Sequence, residues 1–203
     1  MEAFSDGVFA IAITLLVLDI KIPSDAVHDL WRAFADEWPA YLAYVTSFLA
    51  IGAVWMQHHG LFSCLRLVDS HVMRLNLALL IVVSFLPFPT GVMADAITVS
   101  RHAERAAVVI YGATLLAISL LLGALWRYVA THRQLLHDDV TGAVLAQAER
   151  RELPSVGLLA AAIVVGAVLI PRAAVFAYLV LALESVAVAR GEREPGRVEH
   201  RAP

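Results

Sequence analysis

The sequence predicts an all-α membrane protein with six transmembrane helices in one chain. Three observations carry this reading. Of the 203 residues, 60% are hydrophobic and 16% charged, and the mean hydropathy is +0.75; soluble domains sit nearer half apolar and a quarter charged. The apolar residues gather in six runs, most of them close to the ~20 residues that a bilayer core requires. The polar residues gather between those runs.

The first run, Phe4 to Ile22, stops at Pro23. It follows Met-Glu-Ala, which lacks the basic n-region of a signal peptide, so it is expected to be a mature span. The next polar stretch, SDAVHDLWRAFADEW, sets Trp31, Phe34 and Trp38 among charges. That pattern suits a short amphipathic helix at the membrane interface. The second run is Ala40 to Phe62 and the third Val72 to Met93, with Pro87 and Pro89 expected to kink or end the third helix. The fourth run is Ala106 to Tyr128, followed by the one sizeable polar connection, residues 129 to 155. The fifth, Val156 to Ile170, and the sixth, Ala173 to Ala189, are separated only by Pro171-Arg172 and are expected to be two spans. Residues 1–190 then form a single membrane domain, and 191–203 have the composition of a disordered tail.

Six spans put both termini on one side. That side collects Arg66, Arg74, Arg127, Arg133, Arg150, Arg151, Arg190, Arg193, Arg197 and Arg201. The other collects Lys21, Arg32, Arg101, Arg105 and Arg172. The excess favours cytoplasmic termini. The net charge of −3 gives no sign of a nucleic-acid partner. The single cysteine, Cys64, excludes an internal disulfide and a multi-cysteine metal site.

At about 100° per residue, Phe4, Ile11, Leu15, Leu18 and Ile22 fall within an arc of about 60° on the first helix, with Thr14 on its shoulder. Ser5 and Asp6 lie on the far side. An apolar stripe is by default packing surface. A carboxylate at membrane depth is costly and needs protein or water around it, so Asp6 is expected to point into the bundle, where the helix start also favours negative charge. Trp55 and His58 share a face of the second helix, and Asn76 is placed to hydrogen-bond between helices. His58, His59 and His71 do not make a metal centre, because adjacent histidines diverge by about 100° along a helix; no metal or cofactor is expected. Phosphate-binding glycine loops, HExxH, a nucleophile elbow and a run of voltage-sensing arginines are all missing.

FSDGVFAIAITLLVLDI resembles the first-helix signature of the TMEM175 family of potassium channels, in its prokaryotic branch. WxxHH followed by LNLxLLxxxSFLPFPT resembles the same family's second and third helices. Together the blocks cover the first 93 residues; beyond them the likeness is in length and hydropathy. The resemblance implies homotetramers in the lipid bilayer, with the first helix of each subunit lining a central pore for potassium and other monovalent cations. It implies constriction rings at Ile11, Leu15 and Leu18, a selectivity hydroxyl at Thr14, and a structural latch of Phe4, Ser5 and Asp6 against Trp55, His58 and Asn76. The family's arginine shortly before FSD has no counterpart, since the sequence begins Met1-Glu2-Ala3. The function implied is a leak-type potassium-permeable cation channel, not an enzyme. The competing reading from the residues alone is a proton-coupled small-solute transporter using Asp6, His58 and His59 as a relay, although internal repeats and broken midplane helices, the usual marks of a carrier, are not evident.

Overall fold

Helix α1, Glu2–Leu15, does not run to Ile22 as the apolar stretch suggests. Its last turn tightens into a 3₁₀ segment, Leu16–Asp19, and Ile20 is already extended. The rise of fourteen α-residues and four 3₁₀-residues sums to about 29 Å, close to the ~30 Å of a hydrocarbon core. The computed structural model of the chain describes residues 1–21, 29–138, 140 and 171–191. The fifth apolar run and residues 192–203 lie outside them.

Helix α2, Leu30–Asp36, is capped by Asp29, whose carboxylate accepts from the Arg32 amide at 3.3 Å. Its Leu30, Trp31 and Phe34 side chains are exposed, as an interfacial helix requires. Helix α3, Trp38–Ser63, starts with Pro39 in its first turn. There the missing amide would have had no partner in any case. Helix α4, Ser70–Phe85, is capped by Asp69 on the amides of His71 and Val72. Helix α5, Pro87–Val99, follows after Leu86 alone. Helix α6, Arg101–Thr131, is capped by Ser100 and outruns its apolar core by a charged first turn. Helix α7, Pro171–Gly191, covers the sixth run. Among the described residues, three helical stretches are long and apolar enough to cross a membrane: Trp38–Ser63, Ser70–Ile97 and Arg101–Thr131.

The break between α4 and α5 is where the prolines predict it. Pro87 and Pro89 donate nothing to Val83 and Phe85, so the carbonyls around the joint must be satisfied otherwise. The Leu86 amide turns back to Val83 at 3.1 Å, and the Thr90 hydroxyl donates to the Leu86 carbonyl at 2.9 Å. Thr90 also lies 2.8 Å from Ser47 Oγ, and Ser47 Oγ lies 3.0 Å from the Tyr111 hydroxyl. Each hydroxyl has one proton. With Thr90's spent on Leu86, Ser47 donates to Thr90 and Tyr111 donates to Ser47. A directed chain therefore runs from α6 through α3 to α5. Tyr111 also packs against Tyr178 of α7, whose hydroxyl donates to the Val108 carbonyl at 3.1 Å.

Helix α3 is the hub, packed on α1, α5 and α7. Its buried face carries Ala40, Ala43, Ser47 and Ala50 at alternating spacings of three and four. Lipid is as apolar as leucine, so helices in a bilayer gain from close backbone approach, and small residues permit it. At one end of the bundle, two connections are tied by backbone bonds: Arg66 N donates to Leu135 O at 2.8 Å, and His137 N donates to Cys64 O at 3.1 Å. Beside them, Tyr128 donates to Asp69 at 2.6 Å and is sandwiched between the rings of His71 and His132. The polar connection expected from residue 129 thus begins three residues later, after Thr131.

Candidate functional site

Helix α1 has two faces with no residue in common. Ser5, Phe9 and Ala12, with Leu16 of the 3₁₀ turn, are spaced by four, three and four and are buried; α1 packs on α3 and α4, and the turn on α3 and α5. Opposite them, Ile11 is 61% exposed, Leu15 41% and Leu18 63%. These are the residues of the stripe read from the helical wheel. Branched apolar side chains leave lone patches on any surface, but a row of them along one helix marks a surface that something covers. Thr14 is exposed beside the row, and its hydroxyl donates to the Ile11 carbonyl at 2.9 Å. Its proton is thereby consumed within the helix, and its oxygen remains as an acceptor on the outer face.

Behind that face, the first turn of α1 is held by side-chain hydrogen bonds to two other helices. Trp55 Nε1 donates to Asp6 Oδ1 at 2.8 Å. Asn76 Nδ2 donates to Ser5 Oγ at 3.0 Å, and His58 Nε2 lies 2.8 Å from Asn76 Oδ1. With the amide nitrogen directed at Ser5, its oxygen can only accept, so His58 carries its proton on Nε2. The imidazole is buried, packed by Phe9 at 5.3 Å and by Phe62 at 4.3 Å between ring centroids. Trp55 and His58, three residues apart on α3, thus reach two different partners around α1. Ser5 and Asn76 are themselves fully buried, so the two bonds of Asn76 are made where water does not compete.

The structure therefore brings together Ser5, Asp6, Trp55, His58 and Asn76. Phe4 is not among them. It is 63% exposed and lies on the outer face with Ile11, as the wheel angle implies and the latch reading does not. His59 diverges from His58, and its Nδ1 comes within 2.9 Å of Glu2 Oε1 while its ring stacks on Trp55 at 5.6 Å. Glu2 was not singled out in the sequence. Its position four residues before Asp6 was the available signal. Phe9, Ala12 and Leu16 were legible on the same wheel as the stripe, roughly opposite it. The Ser47–Thr90–Tyr111 chain had no sequence signal, since three isolated hydroxyls in apolar runs carry no spacing rule.

A family model described as the endosomal/lysosomal potassium channel TMEM175 matches residues 1–87. A potassium channel of Streptomyces collinus is 46% identical over 151 residues, which cover 74% of this chain and 72% of that protein. The chain belongs to the TMEM175 family. A second relative, a potassium channel of Chamaesiphon minutus, is 42% identical over 67% of this chain and 68% of its own. Among solved structures, the crystal structure of a lysosomal potassium-selective channel TMEM175 homolog from Chamaesiphon minutus superposes with a TM-score of 0.81. It is 34% identical, and the match covers 93% of this chain and 95% of that one. The TMEM175 match over residues 1–87 takes in both faces of α1 and every residue bonded to its first turn. The protein is thus a mostly helical TMEM175 membrane protein related to bacterial potassium channels.

Proposed function

We propose that this chain forms a leak-type, potassium-permeable cation channel as a homotetramer, with six transmembrane helices per subunit and the first helices of four subunits around a central pore. The observation that carries the proposal is the split of α1: its apolar stripe is exposed while its opposite face is bonded to α3 and α4. A stripe left uncovered by its own chain is available to line a shared axis. The relatives named as potassium channels give the permeant ion. As a member of a channel family, the chain is not an enzyme.

In this reading Ile11, Leu15 and Leu18 form successive rings. Apolar rings gate by dewetting: a narrow ring expels water and blocks ions, a wider one fills and conducts. Such rings offer no dipoles to replace an ion's hydration shell, so selectivity falls to Thr14, whose outward oxygen can face a cation. The bonds of Ser5 and Asp6 to α3 and α4 act as the latch that keeps the stripe turned outward. Residues 1–190 make up the channel domain and 191–203 its tail, with both termini cytoplasmic in the inner membrane.

The test is a potassium-gradient flux assay in liposomes, with sodium as comparison and Ile11→Asn beside wild type. Flux favouring K⁺, increased by Ile11→Asn in intact tetramers, is expected. A monomer in mild detergent, or flux indifferent to both Ile11→Asn and Leu18→Asn, would overturn the pore assignment.

A further inference from the structure

A second group of polar side chains meets at the start of α1, apart from the bonds made by Ser5 and Asn76. Glu2 and Asp6 are one helical turn apart and share a face. His59 of α3 comes against them, and one ligand atom from each of the three lies within 4.8 Å of the others. The 2.9 Å approach of His59 Nδ1 to Glu2 Oε1 is not aligned as a hydrogen bond, and Nδ1 is shut off from solvent. Among the described residues, neither carboxylate is paired with a lysine or arginine. Two acidic groups therefore converge on an imidazole nitrogen that has no hydrogen-bond partner.

Trp55 fixes the orientation of two of the three. Its indole N–H holds Asp6 Oδ1 at 2.8 Å, which leaves that carboxylate a second oxygen, and its ring stacks on His59. Outer groups that orient ligands in this way are a regular part of metal centres. The donor set selects the ion. One imidazole nitrogen with two carboxylates suits Zn²⁺ and the neighbouring divalent transition metals, while Ca²⁺ takes six to eight oxygens. Bonds of about 2.1 Å in a tetrahedron set ligand atoms roughly 3.4 Å apart, a separation reached from the present one by small side-chain rotations, with water as the fourth ligand.

The geometry points to a binding site for a divalent cation of the Zn²⁺ class on Glu2, Asp6 and His59, joining the first turn of α1 to α3. This inference does not depend on the channel reading, and its test needs no ion flux. Purified full-length protein, freed of any affinity tag and stripped with EDTA, is titrated with Zn²⁺ by calorimetry and by thermal melting. Glu2→Gln and His59→Gln are measured beside it, since both side chains are partly exposed and outside the latch bonds. One Zn²⁺ per chain is expected. The metal should raise the melting temperature of wild type, because a ligand that binds only the folded state stabilises it, and each variant should bind at least tenfold more weakly. Co²⁺ in wild type gives a readout independent of the variants: absorption bands of a low-coordinate nitrogen/oxygen site are expected. The spectrum of hydrated Co²⁺, no calorimetric binding up to millimolar Zn²⁺, or equal affinity in wild type and both folded variants would overturn the site.

Discussion

Asp19 occupies the space that a side chain on Gly91 would need. A methyl group built on Gly91 comes within 2.9 Å of the Asp19 Cγ and 3.0 Å of both carboxylate oxygens. The end of the first helix is thereby seated directly on the backbone of α5, one residue beyond Leu18.

Gly91→Ala is expected to push the Asp19 carboxylate off that seat and to cost about 1 kcal/mol, the low end of the overpacking range, because the end of a side chain and not backbone has to move. The clash lies between two named side chains, so Asp19→Ala in the same protein should recover more than half of the loss. Melting temperatures of the two single variants and the double variant, taken as a cycle, measure this coupling. Additive effects would mean that the two residues do not share the space.

Trp55→Phe keeps an aromatic ring on α3 but removes the indole N–H that donates to Asp6. A hydrogen bond to a charged acceptor contributes about 1.5–3 kcal/mol, and a loss of that size is expected in denaturation of the protein. Asn76→Ala should cost about as much, because it leaves Ser5 and His58 without their partner in a site closed to water. Unchanged stability in both variants would remove the latch from α1.

The hydroxyl chain predicts an asymmetry. Ser47→Ala strands the buried Tyr111 hydroxyl and should cost about 1–3 kcal/mol, whereas Tyr111→Phe removes the donor itself and leaves Ser47 still bonded to Thr90. In the double variant no hydroxyl is stranded, so its loss should be smaller than the sum. The same chemical denaturation series, run on all three proteins, decides.

Asp69 gives a pH dependence with a definite sign. The Tyr128 hydroxyl, then the Val72 and His71 amides, hold its carboxyl below the ordinary 3.8. A depressed carboxylate contributes stability that is complete above its unfolded pKa of about 4 and lost as pH falls through the lower native value. Wild-type melting temperature should therefore fall more steeply than that of Asp69→Asn below about pH 4, with a constant difference between them above about pH 5. Parallel curves throughout would show that Asp69 is not held in its charged form.

Much of this molecule was readable as text. Hydropathy located α3 to within two residues at each end and the α4–α5 pair and α6 to within six, because a bilayer demands long apolar runs and little else. The wheel assigned Ile11, Leu15 and Leu18 to one face and Ser5 to the other, since a helix converts spacing directly into direction. Pro87 and Pro89 announced their own break. What stayed hidden depends on distance in sequence. Gly91 reads as one more small residue until Asp19, far earlier in the chain, is seen against it. Ser47, Thr90 and Tyr111 come from three separate helices, and Leu65 meets Leu136 across two connections. The early end of α1 was also illegible, because Leu16, Val17 and Leu18 are as apolar as what precedes them.

The separation of duties on α1 bears on how this protein can vary. Ser5, Phe9, Ala12 and Leu16 answer to the rest of their own chain, and a change at any of them is felt as lost stability. Ile11, Thr14, Leu15 and Leu18 are exposed and make fewer contacts within the subunit. Their size and polarity can therefore vary with less consequence for the fold of the subunit than a change on the buried face, so the outward surface can be altered while the architecture that presents it stays in place.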